Sequence, residues 1–172
     1  VVGKGNVTKE TPFDFLGRST TLFKYQLTEG RRPGRLQSFE AAFAKSNNVI
    51  CGKAALRFSS PLDLVKTAEE WGYNQPLMSE VSTISKIKLA SDNYEFAELA
   101  SGFNVSTTIS PVHGALFSSI VANDGVMKNP KLINGLFESK SEDNIWEKIN
   151  IEKRVITPKV ANELRSMMMA TI

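Results

Sequence analysis

Four times this chain writes the start of a helix in nearly the same way: Ser38 before Phe39, Ser60-Pro61, Ser110-Pro111 and Thr157-Pro158. A hydroxyl at the N-cap accepts from one of the unpaired N–H groups of the first turn. Proline at the first helical position fixes φ where its missing donor costs nothing. Each signal is followed by apolar residues at helical spacing. Phe39, Ala42 and Phe43 follow Ser38, with Leu36 before it. Leu64, Val65, Ala68 and Trp71 follow Ser60, with Asp63 at the capping-box position and Gly72 as the stop. Ala115, Leu116, Ser119 and Ile120 follow Ser110, with Gly125 as the stop. Val160, Leu164, Met167 and Met168 follow Thr157. A further apolar pattern, Ile50, Cys51, Ala54, Ala55 and Phe58, starts after the polar break Ser46-Asn47-Asn48. A short helix is expected over 94–101, ending at Gly102.

The rest of the chain reads differently. Residues 1–36 are punctuated by Gly3, Gly5, Pro12, Gly17, Gly30, Pro33 and Gly34, which predicts loops with one short strand over 20–27. Residues 131–138 and 145–151 have strand-like content around a polar turn, which predicts a hairpin at 131–151. The expected class is α+β, mostly α. An irregular basic segment covers 1–36 and a mainly helical part covers 37–172.

Composition narrows the chemistry. With 172 residues and 23% charged side chains the chain has the size and mix of one globular domain. The single cysteine, Cys51, forbids an internal disulfide. It and the single histidine, His113, leave no multi-cysteine or paired-histidine metal site. Neither metal nor cofactor is expected: Gly-x-Gly-x-x-Gly and Walker A loops are absent. The net charge of +3 is uneven, because residues 1–37 carry seven cations against three carboxylates. Arg31, Arg32 and Arg35 could attract an anionic polymer, but the segment lacks the dense basic stripe of a nucleic-acid binder. The bland reading is a solvated loop. His113 reads as a packing or cap residue, and Glu69, Glu70, Glu95 and Glu98 as solvated helix faces.

Ser46-Asn47-Asn48 carries two readings. From spacing alone, Asn48 is an N-cap for the helix that follows. Alternatively Ser46 and Asn48 face a cleft together. The hydroxyl would relay a proton, and the amide would both donate to a carbonyl and accept from an ammonium.

The order of several segments weighs for the second reading. Phe39-Glu-Ala-Ala-Phe-Ala-Lys-Ser-Asn-Asn-Val-Ile is followed by Glu70-Trp-Gly-Tyr-Asn and Ala100-Ser-Gly-Phe-Asn. Next come Ile109-Ser-Pro-Val-His-Gly-Ala-Leu-Phe-Ser-Ser-Ile-Val-Ala-Asn-Asp-Gly, Asn129-Pro-Lys-Leu-Ile and Ile156-Thr-Pro…Leu164-Arg-Ser-Met-Met. Over residues 36–172 this resembles the transpeptidase domain of penicillin-binding proteins. That family uses Ser-x-x-Lys, Ser-x-Asn and Lys-Thr/Ser-Gly in this order. The resemblance implies an acyl-serine enzyme that cross-links or trims peptidoglycan stem peptides ending in D-Ala-D-Ala and is trapped by β-lactam antibiotics. It implies a membrane-anchored protein working on the outer face of the bacterial cytoplasmic membrane.

Carried over residue by residue, only the middle motif is present, as Ser46 and Asn48, and the chain holds no nucleophile. Ser85-Lys86-Ile87-Lys88 spells Ser-x-x-Lys but follows Ser46 instead of preceding it, and is read as chance. The first motif is expected upstream of Val1 and the third beyond Ile172, so the chain reads as a central piece, inactive alone, with most of the sheet missing. The last helix, bearing Met167 and Met168, would then expose an apolar face and offer a route to self-association. The competing expectations are a helical interaction module without catalysis and a degenerate homologue that binds only.

Overall fold

The computed structural model describes residues 2–28, 34–78, 80, 84–138, 144–147 and 152–171. Its elements follow the helix-start signals closely. A short 3-10 turn opens the chain, followed by β1 (Pro12–Phe15), α1 (Lys24–Leu27) and β2 (Arg35–Ser38). Then come α2 (Phe39–Ala44), α3 (Asn48–Phe58), α4 (Pro61–Glu70), α5 (Asn93–Ser101) and α6 (Pro111–Ala122). Four short strands, β3 (Val126–Lys128), β4 (Gly135–Phe137), β5 (Asn144–Glu147) and β6 (Glu152–Arg154), precede α7 (Pro158–Met169). The class is α+β and mainly helical, with only a partial sheet.

The caps act as the sequence indicates. Ser38, Ser60, Ser110 and Thr157 each accept from the backbone N–H three residues on, at 3.2 to 3.3 Å. Asp63 uses its capping-box position differently: its carboxylate takes a hydrogen bond from the Ser60 hydroxyl at 2.8 Å. α5 is capped by Asp92 and ends at Gly102 in the left-handed conformation. α6 ends at Asn123, two residues before Gly125. Gly125 donates its N–H to Ile120 O, which closes the helix end, at φ +86°. A Cβ there would lie 2.2 Å from the Ile156 carbonyl oxygen, so only glycine lets the chain pass under residue 156.

Among the described residues the strands form three separate antiparallel pairs: β1 with β2, β3 with β6, and β4 with β5. The last is the expected hairpin, shortened to Gly135–Phe137 and Asn144–Glu147. Its tip at 139–143 and residues 148–151 lie outside the described residues. The strand expected over 20–27 is absent. That stretch is an extended entry followed by α1, where buried Gln26 takes the Phe23 N–H and donates to the Leu16 and Arg18 carbonyls. The side-chain amide satisfies the backbone there without a partner strand. Arg31 and Arg32 lie outside the described residues.

One core joins the first segment to the helices. Val7, Phe13, Phe15 and Leu22 pack with Phe39, Ala42, Val49, Ile50, Ala54, Ala97 and Met167. A second cluster, Ala55, Ile87, Ala90, Phe96 and Leu99, fills the space between α3, α4 and α5. A third, Leu77, Leu116, Ile120 and Met127, sits under α6 with Trp71 against it.

Two helix faces differ from expectation. On α6 the buried residues are His113, Leu116, Ile120 and Val121, while Ala115 and Ser119 face solvent. The face is rotated because His113 is drawn inward. Its Nε2 donates to the Trp71 carbonyl at 2.8 Å, and its ring packs on Tyr73 and Phe117. On α7 the inward residues are Ala161 and Met167, and Met167 is 1% exposed. It is part of the main core, so the exposed apolar face expected from the Met167-Met168 pair is not formed by Met167. Met168 points outward.

Candidate active site

The turn between α2 and α3 is built from three residues with three separate jobs. α2 ends in a Schellman arrangement: the Ser46 N–H bonds Phe43 O at 3.0 Å and the Asn47 N–H bonds Ala42 O at 2.8 Å. This places Ser46 in the left-handed position, φ +48°, that glycine usually takes. The chain then begins α3 at once. Asn47 is its N-cap, with Oδ1 accepting from the Ile50 N–H at 3.2 Å. The spacing-based reading of Asn48 as the cap is therefore corrected by one residue. The α2 ending consumes the Asn47 N–H, which leaves Asn47 half in and half out of helix, as a cap must be, and makes Asn48 the first helical residue.

Alternation follows from this backbone. Asn47 is fully buried, while Ser46 is exposed and Asn48 half-buried. Asn48 does not spend its side chain on capping. Its N–H is taken by the Ser19 carbonyl at 2.9 Å, which ties the turn to the loop after β1. Ser46 and Asn48 both line one cavity of about 810 Å³. The cavity runs between α2, α3, α4, α5 and α7, and its walls are mostly apolar: Phe43, Ala54, Leu64, Phe96 and Leu164 are among them. A hydroxyl and a side-chain amide beside a mostly apolar hollow make a small set of polar groups on an apolar lining, the usual composition of a binding cleft.

Other candidates are placed elsewhere. Cys51 lines the same cavity one turn along α3, and burial pushes its thiol pKa up, which holds it protonated at neutral pH. Ser85 is 1% exposed, and its oxygen accepts the Ser110 N–H at 3.0 Å. It stands beside the isolated Lys86–Thr108 bridge, outside any helix, and is buried where Lys88 is exposed. A Ser-x-x-Lys pair needs helical spacing to put both side chains on one face, and this segment does not supply it. Glu70 lines the cavity from the end of α4, and Glu69 is exposed. Among the described residues no three His, Cys, Asp or Glu side chains gather as metal ligands would.

Sequence reasoning missed Asn47, Gln37 and Ser19. The Asn47 Nδ2 donates to Gln37 Oε1 at 2.8 Å, which anchors the turn to β2. The doubled asparagine was the available signal, since one amide can cap the helix only if the other is freed from that task.

Comparison with known proteins agrees with this architecture. A family model described as the penicillin binding protein transpeptidase domain matches residues 4–171. Penicillin-binding protein 3 from Mycobacterium tuberculosis, complexed with aztreonam, superposes with a TM-score of 0.79 at 17% identity, over 99% of this chain and 38% of that one. Penicillin-binding protein A from the same organism, as its penicillin G acyl-enzyme complex, gives 0.73 at 20% identity, over 96% and 38%. The D,D-transpeptidase domain of a peptidoglycan glycosyltransferase from Eggerthella lenta gives 0.76 at 15% identity, over 99% and 45%. At these identities the likeness establishes the fold, and the chain spans less than half the length of these three structures. A search of curated protein sequences gives no match.

Proposed function

The chain belongs to the penicillin-binding protein transpeptidase domain family, and from that premise we propose that it forms one wall of the active site of a peptidoglycan D,D-transpeptidase. The substrates are stem peptides ending in D-Ala-D-Ala. The reaction passes through an acyl-serine whose serine is supplied by sequence outside this chain, and this chain alone is inactive. β-Lactams occupy the same site. The observation that carries the reading is the shared outlook of Ser46 and Asn48 on one apolar cavity, with Asn48 free of capping duty.

The chemistry assigns each a role. Ser46 passes the proton that the departing amine needs, because a hydroxyl donates and accepts at once. Alone it is an ordinary hydroxyl with no base to activate it, so it does not attack. Asn48 donates Nδ2–H to the backbone carbonyl of the bound peptide and offers Oδ1 to the ammonium beside the attacking serine. The apolar walls exclude water, which strengthens both contacts. The protein acts on the outer face of the cytoplasmic membrane through an anchor elsewhere in the polypeptide. Among the described residues no helix is long and apolar enough to cross a membrane.

Labelling with a fluorescent penicillin tests this. The longer polypeptide containing this chain is expected to carry the label through boiling in detergent, and its Ser46→Ala and Asn48→Ala forms to acquire it at least about 10-fold more slowly. The 172-residue chain is expected to stay unlabelled. Labelling of the short chain at Ser85, or unchanged rates in both variants, defeats the assignment.

A further inference from the structure

The middle residue of the Ser46-Asn47-Asn48 turn is bonded at every polar position the fold gives it. Its N–H goes to Ala42 O at 2.8 Å, and its carbonyl accepts from Cys51 N at 3.1 Å. Its Oδ1 takes the Ile50 N–H at 3.2 Å and its Nδ2 reaches Gln37 Oε1 at 2.8 Å. One fully buried residue thus joins the end of α2 through its backbone N–H, and the start of α3 and strand β2 through its side chain. On either side of it stand Ser46 and Asn48, the two residues that line the cavity.

Ser46 has a reason to leave its position. A left-handed backbone is unfavourable for a non-glycine residue, and among the described residues only Ser46, Asn74 and Asp124 of the non-glycine residues carry a positive φ. A strained conformation persists where surrounding bonds over-determine it. Here they are the two bonds closing α2 and the Asn47 side chain, which ties the residue after Ser46 to Gln37 and to the Ile50 N–H. Gln37 does not line the cavity, so what it does to Ser46 passes through Asn47.

We propose that Asn47, held by Gln37, is a positioning residue for acylation: the pair fixes the left-handed backbone of Ser46 and the first turn of α3, and thereby the spacing of the Ser46 hydroxyl and the Asn48 amide. This rests on the transpeptidase reading above. No covalent step is assigned to Asn47 or Gln37.

The test uses the full polypeptide that carries this chain and follows the rate of acylation by a fluorescent penicillin per labelled molecule, together with the labelled endpoint and the thermal midpoint. Gln37→Met keeps the length of the side chain and removes the acceptor. Gln37→Glu restores the acceptor. The expected result is acylation slowed about 10-fold in Gln37→Met with the endpoint kept, and recovery to within about threefold of the parent rate in Gln37→Glu. If Gln37→Met gives no folded protein, Asn47→Thr carries the same test, since it keeps the cap oxygen and loses the reach to Gln37. A lowered midpoint with an unchanged rate per labelled molecule overturns the positioning role. Ser46→Ala separates the two claims. If it and Asn48→Ala both acylate at the parent rate, the transpeptidase assignment of the turn fails. If it is slow while Gln37→Met and Asn47→Thr are not, only the positioning role fails.

Discussion

Asn47 and Asn48 are chemically identical and adjacent, and the fold assigns them opposite duties. The first closes a helix end from inside the protein; the second opens onto a cavity. Their mutational signatures should separate accordingly. Asn47→Ala removes a cap and leaves Gln37 facing a void, so it is expected to lower stability by about 2 kcal/mol in urea denaturation. Asn48→Ala removes a side chain that caps nothing, and is expected to stay within about 0.5 kcal/mol of the parent. A larger loss in Asn48→Ala would mean that it caps α3 in solution. The sequence marks this turn as a break between helices and supplies the right residue types. Which asparagine caps was not legible, because that is decided by the Asn47 N–H bond back to Ala42, a consequence of how α2 ends.

At the scale of elements, helix starts were legible and helix faces less so. A cap is a contact between residues three apart, so Ser38, Ser60, Ser110 and Thr157 could be read from the chain alone. Which side of a helix turns inward depends on its neighbours. α6 rotates to bury His113 against Trp71 and Tyr73, and α7 buries the expected Met167 together with Ala161 while Met168 turns outward. The two sides of α7 also differ in packing. Ala161 is fully buried, so Ala161→Leu must displace neighbours and is expected to cost about 1–3 kcal/mol. Leu164 borders the cavity, so Leu164→Phe grows into open space and is expected to change stability by less than about 0.5 kcal/mol. Thermal or chemical denaturation of the two variants reads the contrast directly; equal losses would mean that the hollow beside α7 is filled.

Across the whole molecule, the first segment is tied to the helices by charge as well as by apolar packing. The Lys53 ammonium, on α3 and 3% exposed, meets the Asp14 carboxylate at 3.1 Å and the Asp14 carbonyl at the same distance. Removing the carboxylate strands a buried cation with one neutral partner. Asp14→Ala is therefore expected to destabilise by about 2 kcal/mol, below the full penalty of a buried pair because Asp14 is itself about a third exposed. Adding Lys53→Met to Asp14→Ala should recover most of that loss, since the unpaired charge is then gone. Failure of the second substitution to restore stability would show that packing by the Lys53 stem matters more than its charge.

The amino-acid order by itself determined the helix-rich class, the Ser38, Ser60, Ser110 and Thr157 caps, the hairpin and the two polar residues on which function is proposed to rest. These are properties of neighbours in the chain, where a hydroxyl, a proline or a turn residue acts within three or four positions. The tertiary structure alone decided that Asn47 turns inward to Gln37 while Ser46 and Asn48 turn out to one cavity, and that residues as distant as Phe43, Phe96 and Leu164 wall it. Burial and convergence of this kind depend on which elements pack together, and no local pattern encodes that choice on its own.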